Sequence, residues 1–257
     1  MKNISLVLLL LIYFQAYANG DWGKTGHRTV AEIANHYLSE KAKARINLLL
    51  HGQSLAMAST YADEIKSDDR YDEFKVWHYA NAPLDETYDE SEKNEDGDIV
   101  VGIEYCIEVL KDPATDDDDQ TFYLKMLIHL IGDMHQPLHF GLKEDRGAND
   151  FEVDWFGEDS NFHRVWDSEM INSYGMSYSE MAQNKTVLTP EEITDFARGN
   201  VIDWVEDTRV LTRKVYKSAN ERDNLGYKYM YDWYDTLNLQ LHKAGIRLAK
   251  VLNQIYS

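Results

Sequence analysis

The chain has 257 residues, 44% of them hydrophobic, enough to bury a core without help and to form one large domain or two small ones. Its 45 acidic and 26 basic residues leave a net charge of −19. That balance excludes tight, non-specific binding of duplex DNA, which depends on Lys and Arg neutralising phosphates, yet it allows a nucleic-acid substrate held through bound divalent cations. Cys106 is the only cysteine, so no disulfide can form within the chain.

In chain order, Lys2 precedes an apolar run from Ile4 to Phe14 and then Ala16-Tyr17-Ala18. This reads as a secretory signal peptide: a charged start, an apolar stretch of fitting length and a small-residue cleavage site. The run is too short to span a membrane. The expected organisation is a signal peptide over 1–18, cleaved as late as 21, and one domain over 22–257, exported to a periplasm or secreted. No repeat and no Pro/Gly/Ser-rich linker divides that domain. Residues 26–50 carry helical spacing (Val30, Ile33, Ala34, Tyr37, Leu38), with Thr25 as the expected cap. Residues 98–111 predict a helix ending before Pro113, and Thr115 to Asp119 an acidic turn. Residues 120–142 predict a buried helix, apolar on most sides, that Pro137 kinks or ends. Phe151, Val153 and Trp155 alternate with acidic residues and predict one short strand, half of a small hairpin. Helices resume at 161–172, at 190–217 after Pro190, and at 228–255. The expected class is all-α, a single mostly helical domain with at most a small β-hairpin.

The chemistry gathers near the middle. The chain reads His129-Leu-Ile-Gly-Asp133-Met-His135-Gln-Pro-Leu-His139, then His163-Arg-Val-Trp-Asp167, taking four of only nine histidines. Neutral imidazoles and carboxylates are the usual ligands of a catalytic zinc ion. His129 and Asp133 are four apart, as are His163 and Asp167, so each pair shares one helix face. A polar pair in an apolar helix is costly unless satisfied. Alone, His129 and Asp133 would read as a hydrogen-bonded core pair; with His139 and the second pair, metal binding is the better reading. His135 points away from His129 on an ideal helix and is expected to support the site rather than ligate. Three upstream segments add donors: Asp63 with Lys66 one turn later, Trp77-His78-Tyr79-Ala80-Asn81, and Trp22-Gly23-Lys24-Thr25-Gly26-His27. Taken singly, Asp63 is an ordinary surface carboxylate, His78 an aromatic-flanked histidine and His27 a helix cap.

Together these motifs, with Arg146-Gly-Ala-Asn149 and Gly245-Ile-Arg247-Leu-Ala249, resemble the zinc-dependent single-strand nucleases of the S-one/P-one family, as a bacterial-type member without disulfides. The resemblance covers nearly all of 22–257. It implies the all-α fold shared by zinc phospholipases C and these nucleases, with three Zn2+ ions in one cleft. Asp63, His78, His129 and Asp133 would hold the first, and His139, His163 and Asp167 the second. Trp22, His27 and a bridging Asp133 would hold the third. His36, His51 and His242 match no ligand position. The resemblance further implies an endonuclease acting on single-stranded DNA and RNA and on 3′-mononucleotides, releasing 5′-phosphate products. A metal-activated water would attack with Asp63 as base, Lys66 would stabilise the transition state, and Asn149 would lie near the scissile group. Tyr79 would stack on a base, and Asn81, where fungal members carry an aspartate, would contact a base edge with altered preference; Arg146, in the loop of Asn149, reads equally as a phosphate contact or a surface residue. The expected molecule is a monomer without membrane anchor or obligate protein partner.

One feature departs from the family pattern, in which the tryptophan is the mature N-terminus and its amine binds metal. Cleavage after Ala18 leaves Asn19-Gly20-Asp21 ahead of Trp22. Either processing follows Asp21 or the third site is altered. Two other functions compete: a zinc phospholipase C-like phosphodiesterase, disfavoured by Asp167, Asn149 and Tyr79, and a non-catalytic exported zinc-binding protein, which would need neither Asp63 nor Lys66.

Overall fold

The computed structural model describes residues 22–184 and 188–257; the expected signal peptide and its cleavage positions lie outside the described residues. The described chain is mostly helical. The helical spacing over 26–50 becomes two helices, α1 (Lys24–Tyr37) and α2 (Glu40–Leu49), because Ser39 is extended and its hydroxyl accepts from Ala42 N at 3.1 Å. Thr25 is not the cap. Gly23 takes that place without a side-chain bond, and the Thr25 carbonyl instead accepts from the Thr29 hydroxyl.

Three elements follow that α-helical periodicity could not reveal, two of them about one turn long and the third 3-10 in geometry. They are α3 (Leu55–Ala58), α4 (Tyr61–Ile65) and a 3-10 stretch (Asp69–His78). Then come α5 (Ile99–Lys111), capped by Asp98, and α6 (Asp117–Asp133), which starts before residue 120 because Asp116 accepts from the Asp118 and Asp119 amides. α6 stops short of Pro137, and the chain re-forms as a 3-10 turn over Pro137–Phe140.

The hairpin is β1 (Glu152–Trp155) and β2 (Glu158–Asn161), paired antiparallel with Val153 opposite Ser160. The two-residue β3 (Asn224–Leu225) adds to β1 in parallel. The helix expected over 161–172 is composite: α7 (Phe162–Arg164), a π turn over Val165–Glu169, and α8 (Met170–Tyr174). After α9 (Tyr178–Gln183), the 190–217 segment splits into α10 (Pro190–Ala197) and α11 (Val201–Val215). The break falls at Gly199, whose φ of 88° favours glycine, and Asn200 starts α11 with a capping box to Asp203.

The long α12 (Tyr227–Ile255) closes the fold. It lies directly on α1: a β-carbon at Gly245 would stand 2.4 Å from Ile33 Cγ2 and 2.9 Å from the Val30 carbonyl. Leu124, Leu127, Leu130, Leu237, Leu241 and Leu248 are fully buried between α6 and α12 and their neighbours, each contributing about 1.5–3 kcal/mol. No described helix is long and apolar enough to cross a membrane. The packing brings the start of α1, the single turn of α4, the C-terminal end of α6, the 3-10 turn and the π turn to one place.

Candidate metal centre

α6 carries His129 and Asp133 on one face, both without solvent exposure. The His129 Nδ1–H donates to the Ser59 carbonyl at 2.7 Å. That bond assigns the tautomer and turns Nε2 inward, 3.0 Å from Asp133 Oδ2 and 3.3 Å from Asp63 Oδ1. His78, at the end of the 3-10 stretch, places Nδ1 2.8 Å from Asp133 Oδ2. His27 enters from α1, with Nε2 3.2 Å from Asp133 Oδ1 and its ring stacked 3.7 Å from that of His129. Gly132 makes this stack possible, since a β-carbon there would sit 2.8 Å from His27 Nδ1. His139, from the 3-10 turn, lies 3.6 Å from Asp133 Oδ1 by one ring nitrogen and 3.6 Å from Asp167 Oδ1 by the other.

His163 and Asp167 straddle the junction of α7 and the π turn, and their donor atoms stand 3.9 Å apart. Such widened turns recur at functional sites. The His163 Nδ1–H donates to the Gly147 carbonyl at 2.6 Å, which again aims Nε2 inward. Gln136 donates to Asp167 Oδ1 at 3.0 Å and accepts from Leu138 N at 2.6 Å. It was not among the expected site residues, although its place between His135 and Pro137 inside the ligand run was the available signal. Trp22 is fully buried, and the next amide, Gly23 N, donates to the Asp167 carbonyl at 2.9 Å. His135 faces away, as expected. His36 and His51 are exposed, and His242 is buried in α12.

The donor atoms form three groups, the first two sharing His129: His27, His129 and Asp133; Asp63, His78 and His129; His139, His163 and Asp167. In each, the donor atoms lie within 4.8 Å of one another. These residues fit metal ions. Nitrogen and oxygen donors of this kind suit zinc and similar divalent ions. Both ring nitrogens of His27 and His139, His129 Nε2, Asp133 Oδ1 and Asp167 Oδ2 are buried with no hydrogen-bond partner among the described residues. Fold interiors seldom leave so many polar atoms unsatisfied.

The electrostatics agree. Burial lowers the pKa values of His27 and His139, and it brings His78 down to about 3, with Lys66 adding to the effect. All three are therefore neutral imidazoles, the ligand form. At His129 burial pulls the pKa down, but the Asp133 and Asp63 carboxylates outweigh it and raise it, so this ring must release a proton for its Nε2 to bind a metal. Burial opposes the Asp133 charge, but the neighbouring His129 leads the contacts that outweigh it and hold this carboxyl below the usual carboxylate range. Burial pushes Asp167 up to about 7. A buried carboxyl of this kind gains most from a neighbouring cation.

The centre opens onto the floor of a cleft of about 1410 Å³ through His78, His139 and His163. Lys66, Tyr79, Asn81, Arg146 and Asn149 line it with His78, His139 and His163. Lys66 Nζ lies 3.2 Å from Asp63 Oδ1. Asn81 Oδ1 is buried, and a β-carbon at Gly147 would come within 3.1 Å of it. Arg146, Gly147 and Ala148 all have positive φ, at 55°, 66° and 63°. The side chain of Asn149 closes this left-handed turn by donating to the Arg146 carbonyl at 2.9 Å. Arg146 itself is exposed and pairs with Asp150 at 3.3 Å. Beyond, the wall turns acidic, with Glu86, Glu90, Glu92, Glu95 and Asp96.

A helical frame closed around buried His/Asp groups at the floor of an open cleft defines the class, a protein built on a metal-type centre. The S1/P1 nuclease family model matches residues 22–257, and the chain belongs to that family. It is 28% identical to Endonuclease 2 of Arabidopsis thaliana over 99% of this chain and 98% of that protein. It is 29% identical to Endonuclease 4 of the same plant, over 92% of this chain and 89% of the relative. With Nuclease P1 of Penicillium citrinum the identity is 27%, over 91% of this chain and 98% of the relative.

Proposed function

We propose that the protein is an exported zinc-dependent endonuclease that hydrolyses single-stranded DNA and RNA, and 3′-mononucleotides, leaving 5′-phosphate products. The observation that carries this reading is the contrast in exposure within the centre. The Asp133 and Asp167 side chains are closed to solvent, whereas that of Asp63 is 21% exposed, beside the Lys66 that lines the cleft. Asp63 is thus the carboxylate of the centre that water reaches.

In this reading the site would take three zinc ions. Asp63, His78, His129 and Asp133 would hold the first, and His139, His163 and Asp167 the second. Trp22, His27 and Asp133 would hold the third. Bound zinc would supply positive charge for the phosphate and acidify water at neutral pH, which also answers the net charge of −19. Asp63 orients the attacking water and accepts its proton at a carboxylate oxygen. Lys66, one turn on and within 3.2 Å of Asp63, presents its ammonium to the charge that develops on the phosphate. Asn149 offers its side chain beside the scissile group. Tyr79, 41% exposed at the rim, stacks on an unpaired base, which a duplex does not present. Asn81 Oδ1 and the Asn81 amide read a base edge, and Arg146 meets a flanking phosphate. The processed chain begins at Trp22, after removal of 1–18 and the three residues that follow, and works as a monomer.

The test is hydrolysis of single-stranded DNA, single-stranded RNA and a 3′-mononucleotide by the processed protein, with chelator and again after zinc is returned. Chelator-sensitive cleavage of all three is expected. No hydrolysis of any of them, or hydrolysis indifferent to chelator, overturns the reading. Cleavage of phospholipid alone would assign the phospholipase type instead. N-terminal sequencing decides the third site, where an Asn19 start defeats the Trp22 amine as a ligand.

A further inference from the structure

The turn that joins α6 to the 3-10 turn has two faces. Its front bears Asp133, Gln136 and His139 at the metal centre. Its back bears His135, which is fully buried and fully engaged. The His135 Nδ1–H donates to the Ile131 carbonyl at 2.8 Å, so Nε2 is a bare acceptor. Arg247 Nη1 of α12 donates to it at 2.9 Å. Gln240, seven residues earlier and so on the same face of α12, donates to the His135 backbone carbonyl at 3.1 Å. Side chain and main chain of one residue are therefore gripped by two donors from a single helix.

Arg247 is itself braced from three sides. Its Nε donates to the Phe196 carbonyl at 2.9 Å, Nη2 reaches Asp207 Oδ2 at 2.9 Å, and the guanidinium lies 5.4 Å from the Trp204 ring centroid. Lys243 holds the same Asp207 oxygen at 2.8 Å. None of these residues touches the centre. A buried guanidinium with four fixed partners is an expensive way to stabilise a fold, because replacing such groups with apolar ones is often neutral or better for stability. What it supplies is directional restraint.

We propose that Arg247 is a positioning residue for the metal centre. Through His135 it holds the turn whose front face carries the shared Asp133, the Gln136 that orients Asp167, and His139. A shift of this turn would move donors of two groups together, Asp133 in one and His139 with Asp167 in another, and Asp133 also stands 2.8 Å from His78 and 3.0 Å from His129 of the remaining group. The inference rests on the metal-centre reading above.

The test uses the processed full chain, wild type and Arg247→Lys, freed of metal and titrated with zinc against a chromophoric chelator. The titration is run well below the unfolding temperature of either protein. Lysine can keep the pair with Asp207 but cannot also reach His135 and Phe196 with separate nitrogens. Zinc affinity should fall about 10- to 100-fold, the usual cost of removing a group that orients ligands. Arg247→Lys saturated with zinc should recover much of its kcat with KM near wild type. A lower unfolding temperature of the metal-free variant with unchanged zinc affinity would reduce Arg247 to a fold residue and overturn the proposal. Should Arg247→Lys fail to fold, Gln240→Met removes the second grip on the same turn and should weaken zinc in the same direction; unchanged affinity there overturns the proposal too. Wild-type protein that takes up no zinc would be a different failure, that of the metal-centre reading itself.

Discussion

The floor and the rim of the cleft are built by opposite means. On the floor, donors stand on α1, α4, α6, α7, the 3-10 stretch and two tight turns, nearly all closed to solvent, and backbone carbonyls of Ser59 and Gly147 aim two of the imidazoles. At the rim, Tyr79 and Arg146 project from loops into solvent, and Arg146 pairs with a neighbouring exposed carboxylate. A centre that must hold several charged groups within a few ångströms needs packing to oppose their repulsion and desolvation. A surface that must admit a flexible strand needs adaptable side chains that cost little to leave wet. The two regions should therefore respond differently to perturbation, the floor through loss of ions and catalysis, the rim through binding and selectivity.

The largest effect should come from the floor. Asp133→Asn removes the carboxylate that lies within 3.0 Å of His78 and His129 and 3.2 Å of His27. Activity should fall below detection, and metal analysis should show ions lost with it; a fully metallated, active variant would break the picture of a shared carboxylate. Chelation of wild type should also lower stability, because ligand bound at a thousand times its dissociation constant contributes about 4 kcal/mol. For a chain of this size that corresponds to a drop in Tm of about 8–16 °C, read by thermal unfolding. Next, Lys66→Met should cut kcat about 100- to 1,000-fold with little change in KM. Its zinc content should stay at the wild-type level, and a rise in KM alone would move Lys66 from floor to rim. At the rim, Tyr79→Ala should cost about 1–3 kcal/mol of binding per stacked base, seen as a higher KM on oligonucleotides. The smallest effect should come from Asn81→Asp, which replaces a donor–acceptor amide by an acceptor. The ratio of rates on dinucleotides with different bases should change while the overall rate stays close to wild type. An unchanged ratio would remove Asn81 from base recognition.

Much of the floor was legible in the sequence because its donors obey local spacing. His129 and Asp133 share a face by helical arithmetic alone, and the apolar residues around them mark that face as buried. The family resemblance carried Asp63, His78 and His27, whose neighbours in sequence say little about their neighbours in space. Several things were not legible. Gln136 bonds to Asp167 across thirty-one residues, a relation no local pattern encodes. The π turn between His163 and Asp167 keeps the i, i+4 spacing while altering the geometry beneath it. Helix ends shifted where a single side chain or backbone angle decides them: Ser39 divides α1 from α2, Asp116 begins α6 early, and Gly199 separates α10 from α11. The short turns that carry Asp63 and His78 had no periodicity to read. His135 was placed correctly as facing away from the site, but its tie to Arg247 joins positions 112 residues apart and appears only in three dimensions.

The contact at Gly245 acquires a different weight in this light. There α12, which grips the back of the His135 turn, meets α1, which delivers His27, so closely that no side chain fits between them. A collection of inactive alleles should contain position 245 beside the ligand codons, although the residue offers no donor atom to any ion. Its phenotype would mimic that of an active-site lesion, and zinc supplementation would distinguish the two, since displaced donors can be refilled by mass action and a missing donor cannot.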